Sequence, residues 1–326
     1  MNMQNNFNPE QFYFSYSGLN KLLYAPVLFY NHYVLGERED KLDSYLVDGR
    51  ILHCRLLQPD EFNNQFVVGM DKLPTDNVKI IIDKICRDYP DVLNMEDLEL
   101  EIIQIMKDMN YMQSLKTDKQ RIEKILTDDN KKYYQFVKTA QGKTVIDTIT
   151  LNRMDAIVEK IRANKTISDL LQLNHSDFDT DITVLNELPM QYDVSGYTFA
   201  GIKGILDNVV INHKAKTINI NDLKTTGKTL VDFKETIDYY KYWLQMGIYT
   251  LLVTEYAKEN SITDYTINNN FVVVDKYNQV YSFPVSAVTM QEWMKQTKFT
   301  LKVADYHLKN NQYDLPYQLL KEQFIL

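Results

Sequence analysis

Two aspartates and a lysine stand at the same end of what reads as a β-hairpin. Residues 197–211 (YTFAGIKGILDNVVI) and 216–224 (KTININDLK) are β-branched and alternating, and they flank a short polar loop. A four-residue loop from His213 to Lys216 sets Asn212 opposite Thr217, and the same register carries Asp207 opposite Asp222. Directly opposed residues have Cβ atoms about 4.5–5.5 Å apart on one face, where like charges destabilise unless something neutralises them. A divalent cation shared by the two carboxylates would do so. Alternation places Ile211/Ile218, Val209/Ile220, Asp207/Asp222 and Ile205/Lys224 on that face, apolar at the turn and ionic at the other end. The carboxylates therefore belong at the edge of a core, where charge is tolerated if paired or metal-bound. A one-residue slip would send each of them to the other face.

That arrangement suits phosphodiester hydrolysis. Mg²⁺ prefers carboxylate oxygens and keeps several waters. It polarises a phosphate and lowers the pKa of a bound water. Lys224, two residues from Asp222, is placed to orient that water or to stabilise the charge that develops. An ordinary acidic cross-strand pair with a lysine nearby would account for the hairpin equally well.

The residues around the hairpin extend the pattern. His53, then Asp207 in GILD, then Asp222-Leu223-Lys224, then Gln245 and Tyr249 in QMGIY occur in an order that resembles the RecB-like branch of the PD-(D/E)XK nucleases. The nearest look-alike is the exonuclease VIII (RecE-type) nuclease domain. Residues 15–30 resemble its opening helices, 48–68 the stretch with its histidine, and 221–249 its catalytic strand and the helix after it. The resemblance runs over roughly 13–310 and is weakest over 75–145. It implies an α/β PD-(D/E)XK nuclease fold with a central mixed β-sheet flanked by helices and a helical N-terminal half. It implies Asp207, Asp222, His53 and the backbone carbonyl of Leu223 as ligands of Mg²⁺ or Mn²⁺, and Lys224 as the catalytic lysine. Gln245 and Tyr249, one helical turn apart, would face the site or the DNA together. Glu187 in NELP is a further acidic candidate for the metal.

By the same resemblance the chain is a metal-dependent exonuclease that digests duplex DNA from its ends in phage-type recombination. A toroidal homo-oligomer and a single-strand annealing protein as partner also follow from it. An endonuclease of the same superfamily is one alternative, and a DNA-binding or assembly protein without turnover is another. Lys228 and Lys241 are the lysines singled out for DNA phosphates, among Lys214, Lys216 and Lys234 nearby. Tyr239, Tyr240 and Tyr242 could stack on bases or pack in the core. The two GKT triplets, at 142–144 and 227–229, lack the upstream glycine of a phosphate-binding loop, since Val137 and Asp222 occupy that position.

The elements that must hold these residues can be read more coarsely. Residues 1–12 read as a loose tail, 15–35 as short helices and 43–57 as a helix stopped by Pro59. A mostly helical insertion covers about 70–172, with apolar stripes at 78–87, 97–109 and 118–127. The catalytic core is read over 185–310 within one nuclease domain, 13–310. It comprises the hairpin, one long helix over about 232–257, a strand pair at 270–275 and 279–285, and a helix over about 289–308. Residues 311–326 are read as a tail. The 326 residues, 44% hydrophobic and 25% charged, are ordinary for a globular chain. Cys54 and Cys86 are the only two cysteines, too few for a four-cysteine iron–sulfur cluster, and fit a reduced, cytoplasmic protein. No apolar run is long enough for a membrane span, and the first residues lack a signal-peptide pattern. The net charge of −8 argues against a general nucleic-acid coat protein and leaves room for a local basic path.

Overall fold

Tyr13–Phe14 is extended and forms strand β1, which lies parallel to the first residues of a later strand, Gly201 and Ile202. The computed structural model describes residues 7–37, 44–176, 178 and 180–321. Ser15 caps helix α1 (Tyr16–Tyr24), its side chain accepting from the Gly18 N–H. Pro26 starts α2 (Pro26–Phe29), where a missing N–H costs nothing. Helix α3 (Ser44–Leu57) follows and carries His53.

The chain divides into two compact units, Met1–Gln58 with Ala156–Leu326, and Pro59–Asp155. The second unit contains α4 (Phe62–Gln65), β2 (Phe66–Val68), α5 (Asp76–Asp88), α6 (Glu99–Asp108), α7 (Asp118–Ile125), α8 (Asp128–Ala140) and β3 (Thr144–Ile146). Apolar residues at helical spacing, Val78, Ile81, Ile82 and Ile85, bury one face of α5. They join Ile102, Met106, Ile125 and Tyr134 in a core of this unit's own. Strands β2 and β3 pair in parallel, so the mostly helical stretch expected over about 70–172 also contains β3.

Helix α9 (Thr148–Ala163) leads back to the first unit, followed by α10 (Lys165–Leu171). The sheet then forms from β4 (Ile182–Asp193), β5 (Gly201–Asn212) and β6 (Thr217–Thr225). Helices α11 (Phe233–Tyr240) and α12 (Tyr242–Glu259) cross to β7 (Thr266–Val274) and β8 (Val280–Val285), and α13 (Ala287–Asn310) and α14 (Tyr317–Lys321) close the chain. The strands run β4-β5-β6-β7-β8, antiparallel except for β6 with β7. This is a mixed sheet flanked by helices. The β6–β7 pair needs a crossover, and α11 with α12 supplies it. The aliphatic face of β5, β6 and β7 (Val209, Ile211, Ile218, Ile220, Val273) packs with Leu244, Ile248 and Leu252 of α12 and Leu301 of α13.

Four sequence expectations need correction. Residues 182–193 form β4, an edge strand along the whole of β5, where no strand was read. The helix expected over 232–257 breaks at Lys241, whose φ of +55° is left-handed. The N-terminal stretch is no loose tail from residue 7 onward, because Phe7 and Phe12 pack edge-on against Phe29. Nor is 311–321 a tail: Tyr313 is 8% exposed and stacks on Phe29. The rest of both stretches, 1–6 and 322–326, lies outside the described residues.

Candidate metal centre

The β5–β6 hairpin has the register its alternation implies: Asn212 faces Thr217, Ile211 faces Ile218, Val209 faces Ile220 and Asn208 faces Asn221. There the ladder stops, one pair short of the aspartates. Asp207 and Asp222 are therefore not a cross-strand pair. The Asp207 carboxylate takes the place of the missing backbone partner, its Oδ2 accepting from the Leu223 N–H at 2.7 Å. The β4–β5 ladder is interrupted at the same residue. Asn186 faces Asn208 and Leu188 faces Leu206, but Glu187 and Asp207 between them are unpaired. Glu187 adopts a left-handed backbone, φ +47°. Such a conformation costs a non-glycine residue about 1–2 kcal/mol and tends to be kept where function requires it.

β4 occupies one edge of β5 throughout, so β1 and β6 share the other. β1 pairs only with Gly201 and Ile202, and the pairing of β5 with β6 begins at Asn208. The edge between is filled by side chains. Tyr249 donates its hydroxyl to the Ile205 carbonyl at 2.6 Å, and Gln245 Nε2 donates to the Tyr249 oxygen at 2.8 Å. The expected Gln245–Tyr249 pair thus comes together, with the tyrosine hydroxyl spent on the backbone two residues before Asp207.

His53 reaches this break from α3. Its Nδ1 lies 3.1 Å from Glu187 Oε1 and 3.6 Å from Asp207 Oδ1, and its Nε2 lies 3.2 Å from the Leu223 carbonyl oxygen. His53, Glu187 and Asp207 each offer a ligand atom within 4.8 Å of the others. Burial works to lower the imidazole pKa, but Asp207 and Glu187 outweigh it and push it up to about 9. To hold a cation the ring must give up that proton.

Asp222 is fully buried and sits beside this group rather than in it. Its Oδ2 lies 2.5 Å from Lys224 Nζ, while Oδ1 has no hydrogen-bond partner. Burial raises its pKa against the pull of Lys224, and the negative charge of Asp207 adds to the rise. Burial would lower Lys224, but Asp222 and Asp207 reverse that and keep it an ammonium. Lys224 Nζ also stands 4.9 Å over the Tyr242 ring and 3.5 Å from the Leu223 carbonyl. Tyr242, which the sequence left open between stacking on bases and packing in the core, is thus a prop for the lysine.

The donor set fits a hard divalent cation: two carboxylates, a backbone carbonyl and an imidazole converge, and a buried carboxylate oxygen next to them lacks a partner. The candidate DNA lysines are less concentrated. Lys228 is 3.0 Å from Glu235 and Lys216 2.5 Å from Asp264, while Lys241 sits at the helix break. Tyr239 and Tyr240 are exposed.

A family model for the PD-(D/E)XK nuclease superfamily matches residues 13–297, which include every residue of this site. No curated protein matches the chain. A crystal structure described as "Putative exonuclease", from Eubacterium rectale, aligns over 96% of this chain and 90% of that one, at 12% identity and a TM-score of 0.46. No helix among the described residues is long and apolar enough to cross a membrane. The chain belongs to the PD-(D/E)XK nuclease superfamily.

Proposed function

We propose that this nuclease is a Mg²⁺- or Mn²⁺-dependent exodeoxyribonuclease that hydrolyses duplex DNA from its ends, in a phage-type recombination role with a single-strand annealing protein and as a ring-shaped oligomer. The observation that carries the chemistry is the Asp222–Lys224 contact of 2.5 Å set beside His53, Glu187 and Asp207. The preference for ends rests on the sequence resemblance over 15–30, 48–68 and 221–249.

Asp207, Glu187, Asp222, His53 and the Leu223 carbonyl are the groups that would hold the cation. When bound, it supplies an activated water and a polarised phosphate. Lys224 is aimed by Asp222 and propped by Tyr242, so its ammonium can donate to a phosphate oxygen as negative charge builds there. Gln245 Nε2 donates to the Tyr249 hydroxyl and so steadies that residue, while its Oε1 is buried without a partner. Tyr249 holds the β5 backbone on which Asp207 is mounted.

The test is digestion of linear duplex DNA in Mg²⁺ or Mn²⁺, with chelator, Asp222→Ala and a covalently closed circle alongside. Loss of the linear DNA alone, only with metal and with Asp222 intact, is the expected result. Cutting of the circle would make the enzyme an endonuclease. No digestion by folded protein in either metal would favour the DNA-binding reading.

A further inference from the structure

Each acid of the metal centre adjoins an asparagine in the chain: Asn186 before Glu187, Asn208 after Asp207, Asn221 before Asp222. The three asparagines, with Asn270, are register partners across four neighbouring strands, β4, β5, β6 and β7. Their amides form a continuous row. Asn270 Nδ2 donates to Asn221 Oδ1 at 3.0 Å, Asn221 Nδ2 to Asn208 Oδ1 at 2.7 Å, and Asn208 Nδ2 to Asn186 Oδ1 at 2.8 Å. The second amide hydrogens of Asn208 and Asn221 go to the Leu171 and Leu170 carbonyls of α10, each at 3.2 Å. These are carbonyls of the last helical turn, which have no partner within the helix. Asn208 is 0% exposed and Asn221 1%.

A primary amide is both donor and acceptor, so it can pass a hydrogen bond from strand to strand where an aliphatic side chain cannot. Asn208, Asn221 and Asn270 are buried, and Asn186, exposed, ends the row on the edge strand. Burying amides is costly unless every group is satisfied, and a satisfied network fixes one arrangement. The row lies where such fixing is most needed. One residue further on, both backbone ladders of β5 are interrupted at Asp207, and neither holds Glu187, Asp207 and Asp222 in relation to one another.

We propose that the amide row Asn186–Asn208–Asn221–Asn270 sets the spacing of the three metal-centre acids, and that Asn208 and Asn221 are positioning residues for cation binding and cleavage. This rests on the nuclease reading of the site. Truncating either residue frees the strands to shift at the break without removing any ligand atom.

The test pairs Mn²⁺ titration calorimetry, which needs no turnover, with steady-state digestion of linear DNA. Asn208→Ala and Asn221→Ala are compared with Ile218→Val, a buried change in the same hairpin at its turn end, and all are melted thermally. The asparagine variants are expected to bind Mn²⁺ about tenfold to a hundredfold more weakly, with a similar fall in kcat and little change in KM for DNA. Ile218→Val should leave both intact. Should the central variants not fold, Asn270→Ala, which deletes one bond at the end of the row, is expected to give a smaller loss of the same kind. Mn²⁺ affinity equal to wild type in the folded asparagine variants would overturn the proposal. So would an equal loss in Ile218→Val at a comparable melting temperature. Wild-type protein that neither binds Mn²⁺ nor digests DNA would take down the nuclease reading and this one together. Wild type active with the variants unaltered would take down this one alone.

Discussion

At the scale of single residues, Asp222 and Lys224 set the hardest physical problem. A fully buried carboxylate is stable as an ion only beside an opposite charge, and the 2.5 Å contact to Lys224 provides it. The lysine in turn is held in place by that carboxylate and by the Tyr242 ring, so its position is fixed before substrate arrives. A preorganised cation of this kind acts mainly where charge builds during reaction, and losing one such donor costs on the order of 10²–10³ in kcat. Lys224→Gln should therefore lower kcat by at least about a hundredfold while KM for DNA changes little. It should also destabilise the fold, since breaking a buried pair from one side costs about 3–5 kcal/mol. Steady-state kinetics and urea denaturation of the one variant check both halves, and an unchanged kcat would remove Lys224 from the reaction. The hairpin spacing alone left these residues open to an ordinary acidic pair with a lysine nearby. It was the order from His53 through Asp207 and Asp222-Leu223-Lys224 to Gln245 and Tyr249, with its family resemblance, that singled them out. The asparagines were not legible in this way. The same hairpin register puts Asn208 opposite Asn221 on the other face, but a single asparagine has no signature that separates a buried amide row from a solvated strand.

Among elements, the site is made by a defect in an otherwise regular sheet. The alternation of 204–212 with 217–224 was enough to set the hairpin register, because a slip would expose the aliphatics. Alternation also implied that the ladder continues to the aspartates, and it does not. A side chain replacing a backbone partner, as Asp207 does at Leu223, leaves no mark in a hydrophobic pattern. β4 was missed for a related reason: as an edge strand it is only half-buried and includes Pro189, so its pattern is irregular. The break at Lys241 escaped notice because both flanking segments are helical and the turning residue is not glycine. What holds the defect open is the approach of α12. Gly204 lies against it, and a Cβ there would come within 3.0 Å of the Tyr249 ring and 3.2 Å of Leu252. Gly204→Ala should push Tyr249 off the Ile205 carbonyl and let the β5 backbone relax beneath Asp207. The expected outcome is a stability loss of about 1–3 kcal/mol, typical of overpacking, and a fall in kcat that Tyr249→Phe reproduces. If Gly204→Ala retained full activity, the strut would not be needed to mount Asp207.

For the whole molecule, the governing quantity is charge. A chain with a net charge of −8 has to bring a polyanion onto a centre that already contains Glu187, Asp207 and Asp222. His53 and Lys224 offset part of this, but Lys228 and Lys216 are spent on Glu235 and Asp264. Near a protein surface, two unit charges about 4 Å apart repel by on the order of 1–4 kcal/mol, and each tenfold in affinity is about 1.4 kcal/mol. A divalent cation at the centre reverses the sign of that contribution for the nearest phosphate. DNA binding should therefore depend on metal. Ca²⁺ takes the same oxygen ligands as Mg²⁺ with looser geometry, and so allows binding to be measured apart from rapid turnover. Fluorescence anisotropy with a short blunt duplex, at one ionic strength, is expected to show affinity at least about tenfold tighter in Ca²⁺ than in chelator. Asp222→Asn should narrow that gap from the chelator side, because it removes a buried negative charge without needing a cation. Equal affinity in chelator and in Ca²⁺ would mean that the duplex is held by surfaces away from the acids, as expected of a DNA-binding protein that kept the nuclease fold without its turnover.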